Sequence, residues 1–237
     1  MMLVDLTTLL ESAPLTAKRE DCHRLIVEEN VLGKKTTSNR WLTARHLTDL
    51  YALDPSVTVF RLLRHFWSAD PAARPMIALL CANSRDALLR MSARRVLEAR
   101  PGQVLTSGDF VEFFEHELPG RFSDTMQLSL AQNVAATWTQ AGFFTGKRAK
   151  ERVRPIVTPA VAAYTLALGF LCGLRGQLLL ESFWARLLDV SCDQVVQFAQ
   201  EAAKREWLDF KGAGKVFEIN FKQVLTPQEI QSSHGPD

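Results

Sequence analysis

The sequence predicts a mainly α-helical protein that contains short β-hairpins. Helix-capping residues, apolar residues at helical spacing and helix-stopping Gly or Pro residues recur along most of the 237 residues. Near the C-terminus, apolar and polar residues instead alternate from Val216 to Phe221 after a glycine-bearing turn, which is typical of a hairpin. We therefore expect a helical N-terminal region with a helix-turn-helix, followed by two winged-helix-like modules.

The composition agrees with a folded chain. Hydrophobic residues make up 47% of it, so the bulk has enough apolar surface to offset the entropy lost on ordering. The chain has 28 Lys and Arg residues and 26 Asp and Glu residues. The resulting net charge of +2 excludes a uniformly basic protein that coats nucleic acid. The four cysteines are widely separated and no signal-peptide pattern begins the chain. These features predict a reduced, cytoplasmic protein.

The first hundred residues are predicted to form a helical domain, residues 1–100. A helical segment over Lys18–Glu29 stops at Asn30 and Gly33, and Thr36 caps a second helix that ends near Tyr51. This pair forms the expected helix-turn-helix. Further helices are predicted at Val57–Ser68 and Pro75–Ala99.

A winged-helix-like module is predicted over residues 101–158. Its helices are expected at Asp109–Leu118 and Asp124–Ala141, because Pro-Gly or Gly follows each of them. Two short strands are expected between Phe143 and Val157, around a basic tip. Helices followed by a two-stranded hairpin are the outline of a winged helix.

One stretch raises the question of a membrane span. The twenty residues 155–174 carry no charge. Thr158 and Pro159 nevertheless form a helix start and Gly173 a stop. The resulting helix, Pro159–Cys172, is about 21 Å long at 1.5 Å per residue, shorter than the roughly 30 Å hydrocarbon core. We expect a buried core helix and no membrane partner.

That helix opens the second predicted winged-helix-like module, residues 159–225. Further helices are expected at about Leu178–Leu188 and at Cys192–Glu206, followed by a hairpin with strands at 207–210 and 216–221. Residues 226–237 are predicted to be a flexible tail.

Basic residues are concentrated in two regions. Residues 31–100 hold 12 basic and 5 acidic side chains, residues 101–145 hold 1 and 5, and residues 146–155 hold 5 and 1. The last group forms a predicted basic wing, whose long cations can reach DNA phosphates; its members are Lys147, Arg148, Lys150, Arg152 and Arg154. A solvated basic turn is the alternative interpretation.

Two further groups are candidate DNA contacts. One lies at the start of the second helix of the helix-turn-helix and consists of Lys34, Lys35, Arg40 and Arg45. The other shares one face of the Cys192–Glu206 helix and consists of Gln197, Gln200 and Lys204. Gln can pair with adenine, but Asp193 and Glu201 flank this face, so a protein-facing or solvated surface is an open alternative.

No enzymatic motif is found. The Gly33–Thr36 segment lacks the first glycine and the preceding strand of a phosphate-binding loop, and the sequence has no GxSxG nucleophile motif. Glu112 and His116 are spaced for a shared metal, although a solvated acidic helix face is the alternative. We expect no enzyme, no catalytic residue, no cofactor and no metal.

Two segments carry a family resemblance. The segment from Val27 to Arg40, Val-Glu-Glu-Asn-Val-Leu-Gly-Lys-Lys-Thr-Thr-Ser-Asn-Arg, resembles a motif of the BrxA family of bacteriophage exclusion (BREX) defence systems. The Ser123-Asp124-Thr125 start and Gln-Ala-Gly-Phe-Phe end of a later helix are similar to the same family. The resemblance covers roughly residues 20–158.

This resemblance implies a non-enzymatic, DNA-binding accessory protein of a phage-defence system, with double-stranded DNA and other defence proteins as partners. Glu29, Asn30, Leu32 and Arg40 match the family pattern, and Glu29 and Asn30 are expected to hold the helix-turn-helix together. The chain departs from the family by continuing about 80 residues past the wing. That extra module could be a second DNA-binding winged helix or a docking surface, so an adaptor that binds proteins and no DNA is the alternative.

Overall fold

The computed structural model of the chain describes residues 1–147, 149–213 and 216–233. The helices are α1 (Leu3–Ser12), α2 (Arg19–Val27), α3 (Thr37–Tyr51), α4 (Thr58–Ala69), α5 (Arg74–Arg85), α6 (Ala87–Glu98), α7 (Ser107–Glu117), α8 (Asp124–Gln140), α9 (Pro159–Leu171), α10 (Gly176–Leu180), α11 (Phe183–Arg186), α12 (Cys192–Lys204) and α13 (Pro227–Ser232). The strands are β1 (Val104–Leu105), β2 (Phe144–Thr145), β3 (Lys150–Arg152), β4 (Asp209–Ala213) and β5 (Val216–Asn220). The predicted fold class, mainly helical with short β-hairpins, is confirmed.

The chain forms two compact units, and both are discontinuous in sequence. Unit 1 comprises Met1–Pro55 and Cys81–Pro155, whereas unit 2 comprises Ser56–Leu80 and the chain from Ile156 onward. The consecutive modules predicted from the sequence divide the chain differently, and their limits stay predictions.

Unit 1 begins with three helices. The Thr36 hydroxyl accepts a hydrogen bond from the Asn39 backbone N–H (3.2 Å) and so caps α3, as predicted. On the inner face of α3, Ala44 and Leu47 are fully buried. Tyr51 ends the helix, and its hydroxyl donates to the Met1 carbonyl (2.6 Å). These contacts attach the C-terminal end of α3 to the start of the chain.

The rest of unit 1 has the element order of a winged helix. After α6, the order is β1, α7, α8, β2 and β3, and the antiparallel sheet has the strand order β1-β3-β2. Ser123 caps α8, its hydroxyl accepting from the Met126 N–H. β1 was not predicted, because two residues are too few to show strand alternation.

A buried aromatic pair forms the centre of this part of unit 1. Trp138 of α8 is fully buried, and its indole N–H donates to the Ser92 hydroxyl on α6 (2.8 Å). Its ring meets the Phe143 ring edge to face at 4.7 Å. The core therefore joins α6, α8 and the start of the wing.

Unit 2 is built around α9. Every residue from Pro159 to Phe170 is buried, which confirms the predicted core helix. The Tyr164 hydroxyl donates to the Val59 carbonyl of α4 (3.0 Å), and Phe170 contacts Phe221 edge to face at 5.2 Å. Helix α12 also packs on α9. The β4–β5 hairpin predicted from the sequence follows α12 in the chain.

No helix in the described part of the chain combines the length and the apolar character needed to cross a bilayer.

Two predicted helices are each divided in the structure. The expected Pro75–Ala99 helix breaks at Asp86, whose carboxylate accepts from the N–H groups of Leu88 (2.9 Å) and Leu89 (3.0 Å) and starts α6. The expected Leu178–Leu188 helix breaks at Ser182, which caps α11 in the same way. In both cases the side chain accepts hydrogen bonds from the first backbone N–H groups of the next helix. These N–H groups would bond to backbone carbonyl groups if the helix were continuous.

The prediction of a flexible tail is wrong for its first eight residues. Residues 227–232 form α13, and the Glu229 carboxylate accepts from Arg61 of α4 at 2.5 and 2.7 Å. Thr58 also donates to this carboxylate (2.6 Å). An ion pair between residues far apart in sequence therefore holds the segment against α4. The residues after 233 lie outside the described part.

Glu229 should make the stability of unit 2 dependent on acid. Burial alone would raise its pKa, but hydrogen bonds from Thr58, Thr226 and Arg61 lower the pKa to about 2, from 4.5. A carboxyl group with a lower pKa in the folded state than in the unfolded state stabilises the fold while it is ionised. Its contribution is complete at pH values above the unfolded-state pKa and is lost as the pH falls to the folded-state pKa. The stabilisation should therefore be complete above about pH 4.5 and disappear toward pH 2.

We expect Glu229→Gln to lower the free energy of unfolding at pH 7 by about 1–3 kcal/mol. It should also flatten the pH dependence of that free energy below pH 4.5. Urea unfolding across this pH range measures both quantities. Glu218→Gln, at a side chain that is 63% exposed, is the control. An unchanged pH dependence in the Glu229 variant would contradict the assignment.

Candidate nucleic-acid interface

The turn between α2 and α3 is organised by Asn30. Its side-chain oxygen accepts from the Lys34 N–H (2.8 Å), and its amide nitrogen donates to the Lys34 carbonyl (3.2 Å). Asn30 and Gly33 both have positive φ angles, of 52° and 62°, which suit Asn and Gly. These bonds hold the turn between α2 and α3 in shape, which agrees with the role expected of Asn30.

The four basic candidates near this turn have different environments. Lys34 is bound through its ammonium group to Asp5 of α1 (2.8 Å), and Arg40 donates to the Val27 carbonyl (3.2 Å). Lys35 is exposed, and so is Arg45, which lies 3.8 Å from Asp49. Of the four candidates predicted from the sequence, Lys34 and Arg40 therefore make contacts within the protein, and Lys35 and Arg45 are exposed to solvent.

The wing presents fewer cations than predicted. Lys147 and Arg154 are exposed, whereas the Lys150 ammonium donates to the Thr139 hydroxyl on α8 (2.9 Å). This contact holds the wing against the last turn of α8. Arg148, also predicted as a DNA contact, lies outside the described residues.

The prediction that Arg152 contacts DNA is wrong. Its side chain is 1% exposed, and the guanidinium lies 4.9 Å from the centre of the Phe143 ring. It also donates to the carbonyl groups of Val96 (3.1 Å) and Val153. The hydrogen bonds and the aromatic face compensate for the burial of the charge, so Arg152 is a structural residue that joins β3 to α6.

Helix α7 carries four carboxylates and no Lys or Arg, and α6 neutralises part of this negative charge. Arg94 pairs with Glu117, and Arg95 pairs with Asp109 (3.0 Å). Burial alone would raise the pKa of Asp109, but hydrogen bonds from Thr106 and Arg95 outweigh it and lower that pKa. These two arginines are therefore engaged within unit 1, and the count of basic residues overstates the charge available to a ligand.

The helix-turn-helix contacts α1 directly, and the wing is linked to α1 through the end of α8. Asp5 of α1 binds Lys34, and the Leu3 N–H donates to the Gln140 side chain at the end of α8 (2.9 Å). The neighbouring Thr139 receives the hydrogen bond from Lys150 of the wing. Side-chain contacts thus link the two basic regions of unit 1 through α1 and α8.

The outer face of α12 agrees with its predicted pattern. Gln197, Gln200 and Lys204 are exposed. The opposite face buries Val195 and Ala199. Asp193 and Glu201 are exposed too, so this surface carries both signs of charge.

The sequence analysis selected no residue of α8, although its outer face is exposed and rich in amide side chains. Gln132 and Asn133 are both exposed there. A signal was present, since no charged residue occurs from Thr125 to Gly146. Clusters of basic residues, which mark the other candidate contacts, do not point to such an uncharged face.

No protein-family model matches the chain, and no curated protein matches it significantly. Within the described residues, no group of three or more His, Cys, Asp or Glu side chains is placed to hold a metal ion. The functional interpretation therefore depends on the geometry of unit 1 and on the composition of its surface.

Replacing Arg152 should destabilise the fold. We expect Arg152→Met to lower the free energy of unfolding by about 2–4 kcal/mol, because the buried Val96 carbonyl loses its donor. Urea unfolding followed by tryptophan fluorescence measures the loss. Arg154→Met, at an exposed site, is the control and should change stability by no more than about 0.5 kcal/mol. Equal effects of the two substitutions would contradict the structural role.

The wing also depends on Gly146. Its φ angle is 93°, and a Cβ atom added there would collide with the Ala149 carbonyl. Gly120 also has a positive φ, 67°, but a Cβ atom there would meet nothing within 4 Å. We expect Gly120→Ala to cost about 1–2 kcal/mol from the φ angle alone, and Gly146→Ala to cost clearly more in urea unfolding. Equal losses would show that the close approach at the wing is unimportant.

Proposed function

We propose that this chain is a cytoplasmic, non-enzymatic DNA-binding accessory protein of a BREX-type phage-defence system. It grips duplex DNA through unit 1, with the helix-turn-helix of α2 and α3 and the β2–β3 wing as the contacting elements. The proposal includes no catalytic residue, cofactor or metal. Other phage-defence proteins are the expected partners, on the basis of the family resemblance.

The observation that carries the proposal is the arrangement of the wing. Arg152 anchors β3 in the core, while Lys147 and Arg154 on either side of this strand are exposed. Exposed cations on a narrow projection can approach phosphates without losing contacts within the protein. The uncharged outer face of α8 lies directly before this wing in the chain, so a duplex seated there would meet no carboxylate from it.

The helix-turn-helix supplies further phosphate contacts in this proposal. Lys35 and Arg45 are exposed at and beyond the start of α3, where such helices commonly approach the backbone. Lys34 and Arg40 support the fold of this motif through their contacts with Asp5 and Val27. Phosphate contacts of this kind fix the position of a protein on DNA without selecting a sequence.

The alternative is an adaptor that binds proteins and no DNA. It is favoured by two apolar side chains on the outer surface of α3, Trp41 at 56% exposure and Leu42 at 49%. Large exposed aromatic side chains are common in protein–protein interfaces. An adaptor would lose its defence-protein partners in pull-downs when Trp41 and Leu42 are replaced by Ser, and would bind no duplex at low salt.

Truncation is a poor test between these functions. Helices α4 and α9 belong to the same unit, and Tyr164 of α9 donates to the Val59 carbonyl of α4. Removing residues from 159 onward would therefore strip α4 of a packing partner. Point substitutions at exposed residues avoid this problem.

Salt dependence tests the DNA-binding proposal. The logarithm of the association constant should fall with the logarithm of salt concentration, at a slope of about −0.9 for each phosphate contact. We expect Lys147→Glu with Arg154→Glu to weaken binding and to make the slope shallower by about 2 units. Fluorescence anisotropy titrations of a labelled duplex at several salt concentrations measure the slope.

A matched control makes the same change of charge in unit 2. Arg186→Glu with Lys222→Glu also replaces two exposed cations, and it should leave the slope unchanged. Absence of duplex binding by the unmodified protein at low salt would overturn the proposal. Equal losses in both double variants would show that net charge, and not the wing, controls binding.

A further inference from the structure

Helix α8 presents an exposed face that is polar but carries no charge. Six residues at helical spacing form this outer face of α8: Thr125, Ser129, Gln132, Asn133, Ala136 and Gln140. Two exposed apolar side chains, Met126 and Leu128, border it in the first two turns. The opposite side buries Ala131, Val134 and Trp138 in the core. The only charged residue of the helix is Asp124, in its first turn.

Neighbouring helices of the same unit have a different kind of surface. Exposed positions of α6 include Arg94 and Glu98, and those of α7 include Glu112 and Glu115. Charged side chains normally keep the exposed face of a helix solvated. An amide-rich face without charge on the outside of α8 is therefore a specific feature of this helix.

The position of α8 matches that of a base-reading helix. It follows α7 across a short turn, with Gln127 donating to Glu115 of α7 (2.7 Å), and it leads directly into the wing. Lys150 holds the wing to its last turn through Thr139. A duplex gripped by Lys147 and Arg154 would thus lie beside a helix that offers hydrogen-bonding groups and no opposing charge.

The side chains on this face have the chemistry of direct readout. Asn and Gln amides can bond in pairs to N6 and N7 of adenine in the major groove, and a small apolar side chain can contact the thymine methyl group. Gln132 and Asn133 supply the two amides. Ala136 lies one turn after Gln132, half-buried, with its methyl group on the same face.

We propose that α8 reads bases in the major groove, and that Gln132 and Asn133 select adenine there. This inference rests on the proposed DNA-binding function and adds a sequence preference to it. Helix α12 is a poorer reader, because the exposed carboxylates of Asp193 and Glu201 would face the phosphates that flank a groove. Helix α3 exposes Asn39 and Arg45 as well, but the large apolar side chains of Trp41 and Leu42 lie between them on its surface.

Selection from a pool of random duplexes tests the preference. The unmodified protein should enrich sites that share adenines at fixed positions. On the enriched duplex, changing one such A·T pair to G·C should weaken binding by about 5- to 150-fold. Replacing that adenine with 7-deazaadenine, which lacks only the N7 acceptor, should also weaken binding.

The variants assign the preference to α8. Gln132→Ala with Asn133→Ala should abolish the enrichment and the sensitivity to 7-deazaadenine, while the salt slope stays unchanged because no phosphate contact is lost. Both residues are exposed, so an unaltered melting temperature should show that the variant is folded. Gln197→Ala with Gln200→Ala, on α12, is the control and should keep the full preference.

Each outcome separates the two proposals. Salt-dependent duplex binding without sequence enrichment, or enrichment that survives in the α8 variant, overturns the base-reading role and leaves the DNA-binding function intact. Loss of the preference in the α12 control also overturns it. Absence of binding to any duplex at low salt overturns the DNA-binding function, and the base-reading role falls with it.

Discussion

The candidate surface of unit 1 depends on the stacking of Arg152 against Phe143. A buried guanidinium is costly unless hydrogen bonds and nearby groups compensate for its lost hydration. Here the Phe143 ring and the Val96 carbonyl supply that compensation, and they belong to segments on either side of α7 and α8. Any register shift of β3 would remove Arg152 from both partners, so the contact fixes the strand and thereby the place of the exposed wing residues around it.

Charge compensation separates structural cations from those available to a ligand. Arg94 and Arg95 on α6 pair with carboxylates of α7, and Lys34 pairs with Asp5. The exposed cations of unit 1 include Lys35 and Arg45 at the helix-turn-helix and Lys147 and Arg154 at the wing. Cations at these two elements could contact phosphates at two places along a duplex and so fix its orientation.

The proposals for unit 1 assign different tasks to different side chains. Lys147 and Arg154 supply charge, which acts on any phosphate backbone, while the amides of Gln132 and Asn133 supply directional hydrogen bonds, which depend on the base. The Trp138 indole holds α8 to α6 through Ser92, so the outer face of α8 is presented from a rigid core. Unit 2 has its own core around α9. The exposed face of α12 carries both signs of charge, which suits contacts with other proteins better than contacts with DNA phosphates.

Local features were predictable because their causes lie within a few residues. The caps at Thr36, Ser123 and Thr158 each accept a hydrogen bond from the N–H group three positions onward, and the pattern of each helix follows directly from the sequence. The breaks at Asp86 and Ser182 were missed because a capping residue inside a helical pattern can also remain within the helix.

The sequence by itself thus determined the fold class, most helices and both hairpins. Only the tertiary structure decided that Arg152 is buried, because its partners Phe143 and Val96 meet it through folding, and that α13 is ordered, because Glu229 reaches Arg61 across 168 residues. Hydrogen bonds and ion pairs between distant segments leave no periodic pattern in the chain, and for that reason they appear only in three dimensions.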